Sequence, residues 1–457
     1  MTTKSTFSPL FPSLLSLSLV GAFWPGSLSA QGGGVLLATI TNPAPASFGL
    51  FGSSVAAVGN ERVLVGAEGA GAAYLFSLNG DLLTTFRKPD PAAGSFGAVL
   101  APVGNDRVLV GAYNYTIGIA QVGRAYLFSL NGSLLTTFTN PSPASVQGFG
   151  FSVAAVGSDL VLIGSGSGGP FLFTTNGTLL TTFTKPASGV SATSLAGVGN
   201  DRVLIGAPYD NTAAVGAGAA YLYQTNGTLL VTFTNPIPAT DDNFGTSVAA
   251  VGNGQVLISA IDYGGSKGTG GAAYLFSTNG TLLTVFTNPT PAAGDFFGWS
   301  VAAVGTTRVL IGAYQDSAGA FQSGSAYLFS TNGTLLNTFT NPTASTQAWF
   351  GASVAAVGGD HVIVGSVWDN TGASRAGSAY LFDLPYPPLS IARNPATIAL
   401  SWISVETGLS LQQTDDLAGP TLWTAATNSV SILGPTNVVQ QAIANGAPRR
   451  FFRLQRP

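Results

Sequence analysis

Short apolar runs of about five residues, bounded by Gly, Asn, Asp or Pro, recur along most of this chain. One run is small and β-branched. It reads "SVAAVG" at 54–59, 152–157, 247–252, 300–305 and 353–358, with the variants "VLAPVG" at 99–104 and "SLAGVG" at 194–199. The seven copies are spaced 45, 53, 42, 53, 53 and 53 residues apart. A second, almost wholly apolar run follows each, such as "RVLVGA" at 62–67 or "RVLIGA" at 308–313. A third, "AYLF" or a variant, ends at Phe76, Phe128, Phe173, Tyr223, Phe276, Phe329 and Phe382. A fourth mixes Leu, Phe and Thr, as in "LLTTF" at 82–86. No segment sustains the apolar period of a helix, so the pattern predicts four short strands per unit, seven times over.

Four-stranded units repeated seven times predict an all-β, seven-bladed β-propeller. The small first run suits strands crowded near a central axis. The second suits a strand buried on both faces between neighbouring blades, and the Thr-bearing fourth an outer strand that meets water. The runs are too short for a membrane barrel, whose strands need about 9–11 residues. An open solenoid would require capping repeats.

The third and fourth runs are joined by "NGTLL" at 176–180, 226–230, 279–283 and 332–336, and by "NGDLL" at 79–83 and "NGSLL" at 131–135. Asn-Gly between strands predicts a type I′ hairpin with both turn residues at positive φ. The seventh unit runs instead from "AYLF" at 379–382 into "DLPYPP", with no Leu-Leu strand. The missing strand stands at the other end of the chain, where "LLATITNP" at 36–43 matches "LLTTFTNP" at 134–141. Residues 36–40 are therefore expected to complete the last blade and close the ring, which removes two open sheet edges.

The unit resembles the FG-GAP repeat of integrin α chains and of many secreted bacterial proteins. "FG" precedes the first strand at Phe51-Gly52, Phe96-Gly97, Phe149-Gly150, Phe244-Gly245, Phe297-Gly298 and Phe350-Gly351; the fourth unit has "VSAT" at 190–193. "GAP" is literal at Gly206-Ala207-Pro208 and appears as Gly-Ala at 66–67, 111–112 and 312–313. The resemblance spans about 36–383 and implies a propeller that binds ligands on one face. Calcium-binding members carry an Asp-x-Asp-x-Asp-Gly type loop between the first two strands. Here that place holds "GNER", "GNDR" or "GGDH", too few oxygens for a hard cation, so no metal and no cofactor are expected.

Composition narrows the function classes. Of the 457 residues, 46% are hydrophobic and only 8% charged, with a net charge of −3 and no cysteine. This excludes disulfide scaffolds and thiolate chemistry, and the absence of a basic cluster argues against a nucleic-acid partner. Lys4, an apolar stretch over about 10–24 and "PGSLSA" at 25–30 read as a signal peptide over 1–30. The expected protein is secreted, at the cell surface or in the periplasm, with no membrane span after cleavage, and monomeric. The propeller is assigned to 31–384. Residues 385–457 alternate in the manner of strands and predict a small C-terminal β-sandwich-like domain, for which sorting, attachment and accessory roles stay open.

Catalytic groupings are sparse. The single histidine, His361, occupies the slot of Arg62, Arg107, Arg202 and Arg308, and one imidazole in a tight turn is a poor triad member. "GSGSGG" at 164–169 has nucleotide-loop spacing, but "PFLF" follows it rather than a helix. Acids recur after the second strand at Asp210, Asp262, Asp316 and Asp369. They fit either Asx turns or a ring of ligand contacts. The longer loops, from strand two to three and from strand four to the next blade, share one face. They carry aromatics that vary between otherwise copied units: Tyr113, Tyr209, Tyr263, Tyr314, Trp349 and Trp368, with Trp299 where other units have Ser53 or Phe151. Loops of this kind hold function, and Tyr and Trp suit binding. The leading expectation is a non-enzymatic binding or adhesion propeller with an extracellular protein or glycan ligand. The alternatives are a polysaccharide hydrolase or lyase using loop carboxylates and a purely architectural surface protein.

Overall fold

The structure is a computed structural model. It describes residues 34–91, 94–114, 116–117, 120–142, 148–166, 169–184, 194–252, 254–262, 270–343 and 345–384. Near the termini it describes the short strands 15–16 and 28–29, and 390–393, 397–403, 410–414, 424–426, 431–433, 436–442 and 451–455.

The chain divides into two units, Val35–Asp383 and Met1–Gly34 with Leu384–Pro457. The first is a seven-bladed propeller. Each blade is a four-stranded antiparallel sheet, and in the first six the strands follow chain order from the axis outward, as in Arg202–Ala207 between Ser194–Val198 and Ala219–Gln224, with Leu229–Thr234 outermost. Second strands are buried along nearly their whole length. The buried clusters lie between successive blades: one combines Val58, Leu64 and Phe86 with Val108, Tyr126 and Phe128.

The seventh blade is completed as the sequence predicts. Val35–Thr41 pairs antiparallel with Ser378–Asp383, which lies beside His361–Ser366 and then Phe350–Val357. In this strand Ile40 takes the place that Phe86 and its counterparts hold in the other outer strands, and it is buried against blade one.

The FG and GAP elements are two halves of one contact. Each FG phenylalanine is fully buried and packs edge-on against the aromatic that ends its own third strand, as Phe350 does on Phe382. The FG glycine meets the second-strand glycine of the preceding blade, giving the pairs Gly66/Gly97, Gly111/Gly150, Gly206/Gly245, Gly312/Gly351 and, across the ring closure, Gly365/Gly52. A Cβ on the first member of each pair would fall well inside van der Waals contact of the carbonyl oxygen of the second. At four of these contacts a serine donates to a glycine carbonyl of the next blade: Ser54 to Gly97 (3.0 Å), Ser194 to Gly245 (2.9 Å), Ser300 to Gly351 (2.8 Å) and Ser353 to Gly52 (2.8 Å); at Gly111/Gly150 the place is taken by Val99. On the opposite face, Arg62, Arg107 and Arg308 each donate to a carbonyl in the next blade's first turn. His361, in the same slot, lies 3.9 Å from Asp383 instead.

The Asn-Gly hairpins depart from the type I′ expectation. Only the glycine has positive φ, from 85° at Gly80 to 96° at Gly177 and Gly280, and none of the six asparagines does. Gly80 N–H donates to Ser77, and the pairing shifts register between Leu75 and Phe76. This is a longer loop with a glycine bulge, the other common hairpin solution. The asparagine acts through its side chain: Asn131 Oδ1 accepts from Ser133 N–H at 3.0 Å and Asn226 Oδ1 from Thr228 N–H at 3.0 Å. An Asx turn thus supplies the local order that positive φ at asparagine would otherwise give.

In the second unit Ser390–Arg393, Thr397–Ile403, Thr436–Ala442 and Ser431–Leu433 form one small sheet with Leu28–Ser29. Phe451–Gln455, Ser410–Thr414 and Thr424–Ala425 form another with Leu15–Ser16. A buried cluster draws Leu400 and Val439 from the first sheet and Leu411 and Phe452 from the second. Most of 1–33, where a signal peptide is expected, lies outside the described residues.

Gly365 and Gly359 provide a matched test of the glycine contact, since neither needs positive φ and only Gly365 is crowded. Gly365→Ala should lower unfolding free energy by more than about 2 kcal/mol through overpacking. Gly359→Ala should stay within about 0.5 kcal/mol. Equal denaturation midpoints would contradict the contact's importance. Removing 35–41 should sharply lower the melting temperature or drive oligomerisation. An unchanged melt with a monomeric sizing profile would refute closure by that strand.

Candidate functional site

The two kinds of predicted loop residue, acids and aromatics, have different fates. All four acids are buried, between 1% and 5% exposed. Asp210 Oδ1 accepts from Thr212 N–H (2.7 Å), Asp316 Oδ1 from Ala318 N–H (2.8 Å) and Asp369 Oδ1 from Thr371 N–H (2.8 Å). These are Asx turns. The second oxygen of each accepts from the third-strand tyrosine of the same blade: Tyr221 to Asp210, Tyr327 to Asp316, and Tyr380 to Asp369 at 2.6 Å. Asp262 is buried at φ 50°, its N–H donating to the Asp242 carbonyl. Asp210, Asp316 and Asp369 therefore tie their long two-to-three loops to the sheets.

A second buried set lies in the preceding loops, a role not read from the sequence. The Asn of each Thr-Asn-Pro accepts the N–H two residues on, at Asn42, Asn140, Asn235, Asn288 and Asn341. Asn235 and Asn288 also donate to Asp242 (2.7 Å) and Asp295 (2.8 Å). The signal was in plain view as the repeated "TNP" after the fourth strand.

The aromatics converge. Tyr314 stacks on Phe296 with ring centroids 5.4 Å apart, and it meets Trp299 at 4.7 Å and Trp349 edge-on at 5.2 Å. Trp349 stacks on Trp368 at 3.3 Å with 19° between the ring planes. The Arg375 guanidinium lies over Trp368 at 3.9 Å and over Phe48 at 5.3 Å. The result is a continuous aromatic ribbon along the long-loop face, from blade six across blade seven to the loop entering blade one. Trp299 remains 39% exposed and Phe48 55%. Four of the predicted residues, Trp299, Tyr314, Trp349 and Trp368, are thus brought together.

The other aromatics are placed apart. Tyr113 pairs edge-on with Phe151 at 5.2 Å and donates to Glu68 at 3.1 Å. Tyr209 is exposed, with no ring contact among the described residues. Tyr263 lies outside the described residues. Phe48, Phe296 and Arg375 escaped the sequence reading. Phe48 and Phe296 stand three and one residues before an FG pair, a signal that the repeat alignment carries.

An open cleft of about 550 Å³ adjoins the ribbon. It is lined by Thr290, Asp295, Gln315, Asp316, Phe321 and Gln322 among others. Burial, reinforced by nearby Asp316, raises the Asp295 carboxyl above its ordinary range, although bonds from Ala292 N–H and Asn288 oppose this.

Comparison with known proteins matches the repeats. The model of the FG-GAP repeat matches residues 236–276, 285–329 and 336–382. No curated protein sequence matches. Among solved structures, the fold is similar to streptogramin B lyase (TM-score 0.57, 13% identity, 77% of this chain and 98% of that one). It is also similar to U3-55K (0.55, 12%, 76% and 98%) and the WD40 β-propeller domain of Doa1 (0.52, 16%, 77% and 97%). At such identities the likeness is one of fold.

The tyrosine clamps make a pH prediction. Burial first, then the hydrogen bond to aspartate, raises the phenols of Tyr221, Tyr327 and Tyr380. Burial first and Asp242 second push Tyr274 up to about 12. In the unfolded chain these phenols ionise near their ordinary 10.0. Above that pH the native state holds more protons than the unfolded state, so stability falls as pH rises. Melting temperature followed from about pH 9 to 12 should drop, and Tyr→Phe at 221, 327 and 380 together should flatten the slope. An unchanged slope would show that the clamps do not govern alkaline unfolding.

Proposed function

From a seven-bladed propeller of FG-GAP repeats, we propose a non-enzymatic binding or adhesion protein, secreted or held at the cell surface, that takes its ligand on the long-loop face. The observation that supports this reading is the aromatic ribbon. Trp299, from the bulged start of the strand Phe297–Val304, and Tyr314, Trp349 and Trp368, from the loops of blades six and seven, meet, whereas the copied parts of the repeat are consumed in packing. Partly exposed aromatic clusters on rigid scaffolds suit recognition, because two-torsion side chains lose little entropy when they bind.

The hydrolase or lyase alternative draws on Asp295 and Asp316, which line one cleft. In its favour, Asp295 is a carboxyl held toward its protonated form, as a general acid requires. Against it, both carboxylates are buried and already accept bonds from the turns around them.

The full chain on arrays of glycans and extracellular proteins should bind a limited set, and Trp299→Ala, Trp349→Ala and Trp368→Ala together should abolish that binding with the fold retained. Undiminished binding by the folded triple variant would refute the proposed face. Release of soluble saccharides from a polysaccharide substrate would instead favour the enzyme.

A further inference from the structure

We propose that the ribbon and its adjoining cleft form a site for an uncharged polysaccharide chain, a proposal that rests on the binding reading above and names its ligand class. The first observation is the chemistry of the exposed groups. Beside the ribbon, Gln347 Nε2 donates to Gln322 Oε1 (3.4 Å), Gln322 Nε2 to Gln315 Oε1 (3.1 Å), and Gln315 Nε2 to the Tyr314 hydroxyl (3.1 Å). Each amide carries two N–H donors and an oxygen with two lone pairs, so this relay leaves donors and acceptors free to meet a ligand. Phe321 stands 63% exposed at the cleft, and its backbone carbonyl accepts from Gln347 N–H at 2.8 Å. A sugar ring presents an apolar C–H face and a rim of hydroxyls. Aromatic surface beside uncharged planar amides complements both.

The second observation is charge. The cation in this group, Arg375, is already stacked over Trp368 and Phe48. The cleft acids Asp295 and Asp316 are buried and hydrogen-bonded. The surface therefore offers little to a charged protein patch and no obstacle to a neutral chain.

The third observation is the backbone. The residue just before FG sits in the left-handed region in six blades: Leu50 (52°), Ser95 (53°), Gly148 (71°), Asn243 (53°), Phe296 (53°) and Trp349 (56°). Gly148 and Asn243 are the residue types that tolerate this region. Blades one and two hold Leu50 and Ser95 there, and blades six and seven hold large aromatics, each at a cost of roughly 1–2 kcal/mol. Gln322 (50°) and Gln347 (55°) repeat the choice within the relay. The local backbone does not account for these side chains, whereas a rigid platform with fixed amides does.

The test is native affinity electrophoresis of the full chain through gels containing hydroxyethylcellulose, xylan, galactomannan or glycol chitin. At least one uncharged polymer should retard the protein equally at 50 and 500 mM NaCl. Trp299→Ala and the pair Gln322→Ala/Gln347→Ala should each weaken retardation at least tenfold, and Leu83→Ala, on the outer strand of blade one, should not. Each variant's melting curve reports that it is folded. Retardation by none of the polymers, or retardation that vanishes in salt, overturns the polysaccharide reading. If the arrays then show a protein ligand lost in the triple variant, the binding face survives that failure. Retardation unchanged in the folded Trp299 and glutamine variants overturns the site itself.

Discussion

The propeller depends on one close approach, the backbone of each FG glycine against the second-strand glycine of the blade before it. At five junctions glycine faces glycine, and the first member of each pair has no room for a side chain. The sixth described junction reaches the same end differently: Ser259 stands opposite Gly298, and Ser259 Oγ accepts from Ser247 N–H within its own blade. Because the two glycines sit in neighbouring blades, their contact sets the spacing of blades around the axis. The buried phenylalanine beside it then fixes the tilt by packing on two aromatics of its own blade. Each such side chain adds about 1.5–3 kcal/mol of burial. The contact is repeated at the closure by Gly52 and Gly365, so the ring meets itself with the geometry used at every other junction.

This explains why so much of the fold was legible in the sequence. A periodic contact writes a periodic signal, and "FG", "GA", "AYLF" and the displaced "LLATIT" are its parts. The hairpin type was not legible from "NG" alone, because asparagine can order a turn through its backbone or through its side chain. In most of the hairpins a Ser or Thr two residues before Asn and a Ser or Thr after Gly bond to the asparagine side chain, although Asn226 forms its Asx turn with Gln224 in the earlier place. Residues such as Ser129 and Ser133 bond to Asn131, and such partners become visible only once the turn is built.

The site divided along a similar line. In sequence the recurrent aspartates fit an Asx turn better than a ring of ligand contacts, but nothing local excluded the ring. For Asp210, Asp316 and Asp369 what settles the geometry is the third-strand tyrosine eleven residues downstream, which no local motif connects to them. The aromatics were legible for the opposite reason. They break the repeat, and a residue that departs from a copied pattern is not explained by the contact that the copies serve. Phe296 and Arg375 were missed because their importance lies in neighbours from other loops.

Repetition and departure thus carry different information along this chain. The repeated residues spend their chemistry inside the blades: glycines on spacing, phenylalanines on burial, aspartates and asparagines on tying down the long loops. That leaves those loops rigid without any one side chain being required at their tips. Blades six and seven use this freedom to set Phe296, Trp349, Gln322 and Gln347 at positive φ, where the tied backbone holds conformations that an untied loop would abandon. Backbone bonds join these loops to one another, Gln347 N–H to Phe321, Gln315 N–H to Asp295 and Trp368 N–H to Ala348, and Asp316 and Asp369 fix the two-to-three loops through Tyr327 and Tyr380. The buried carboxylates and the exposed aromatics are therefore parts of one device, in which the first supply the rigidity that the second need to present a fixed surface.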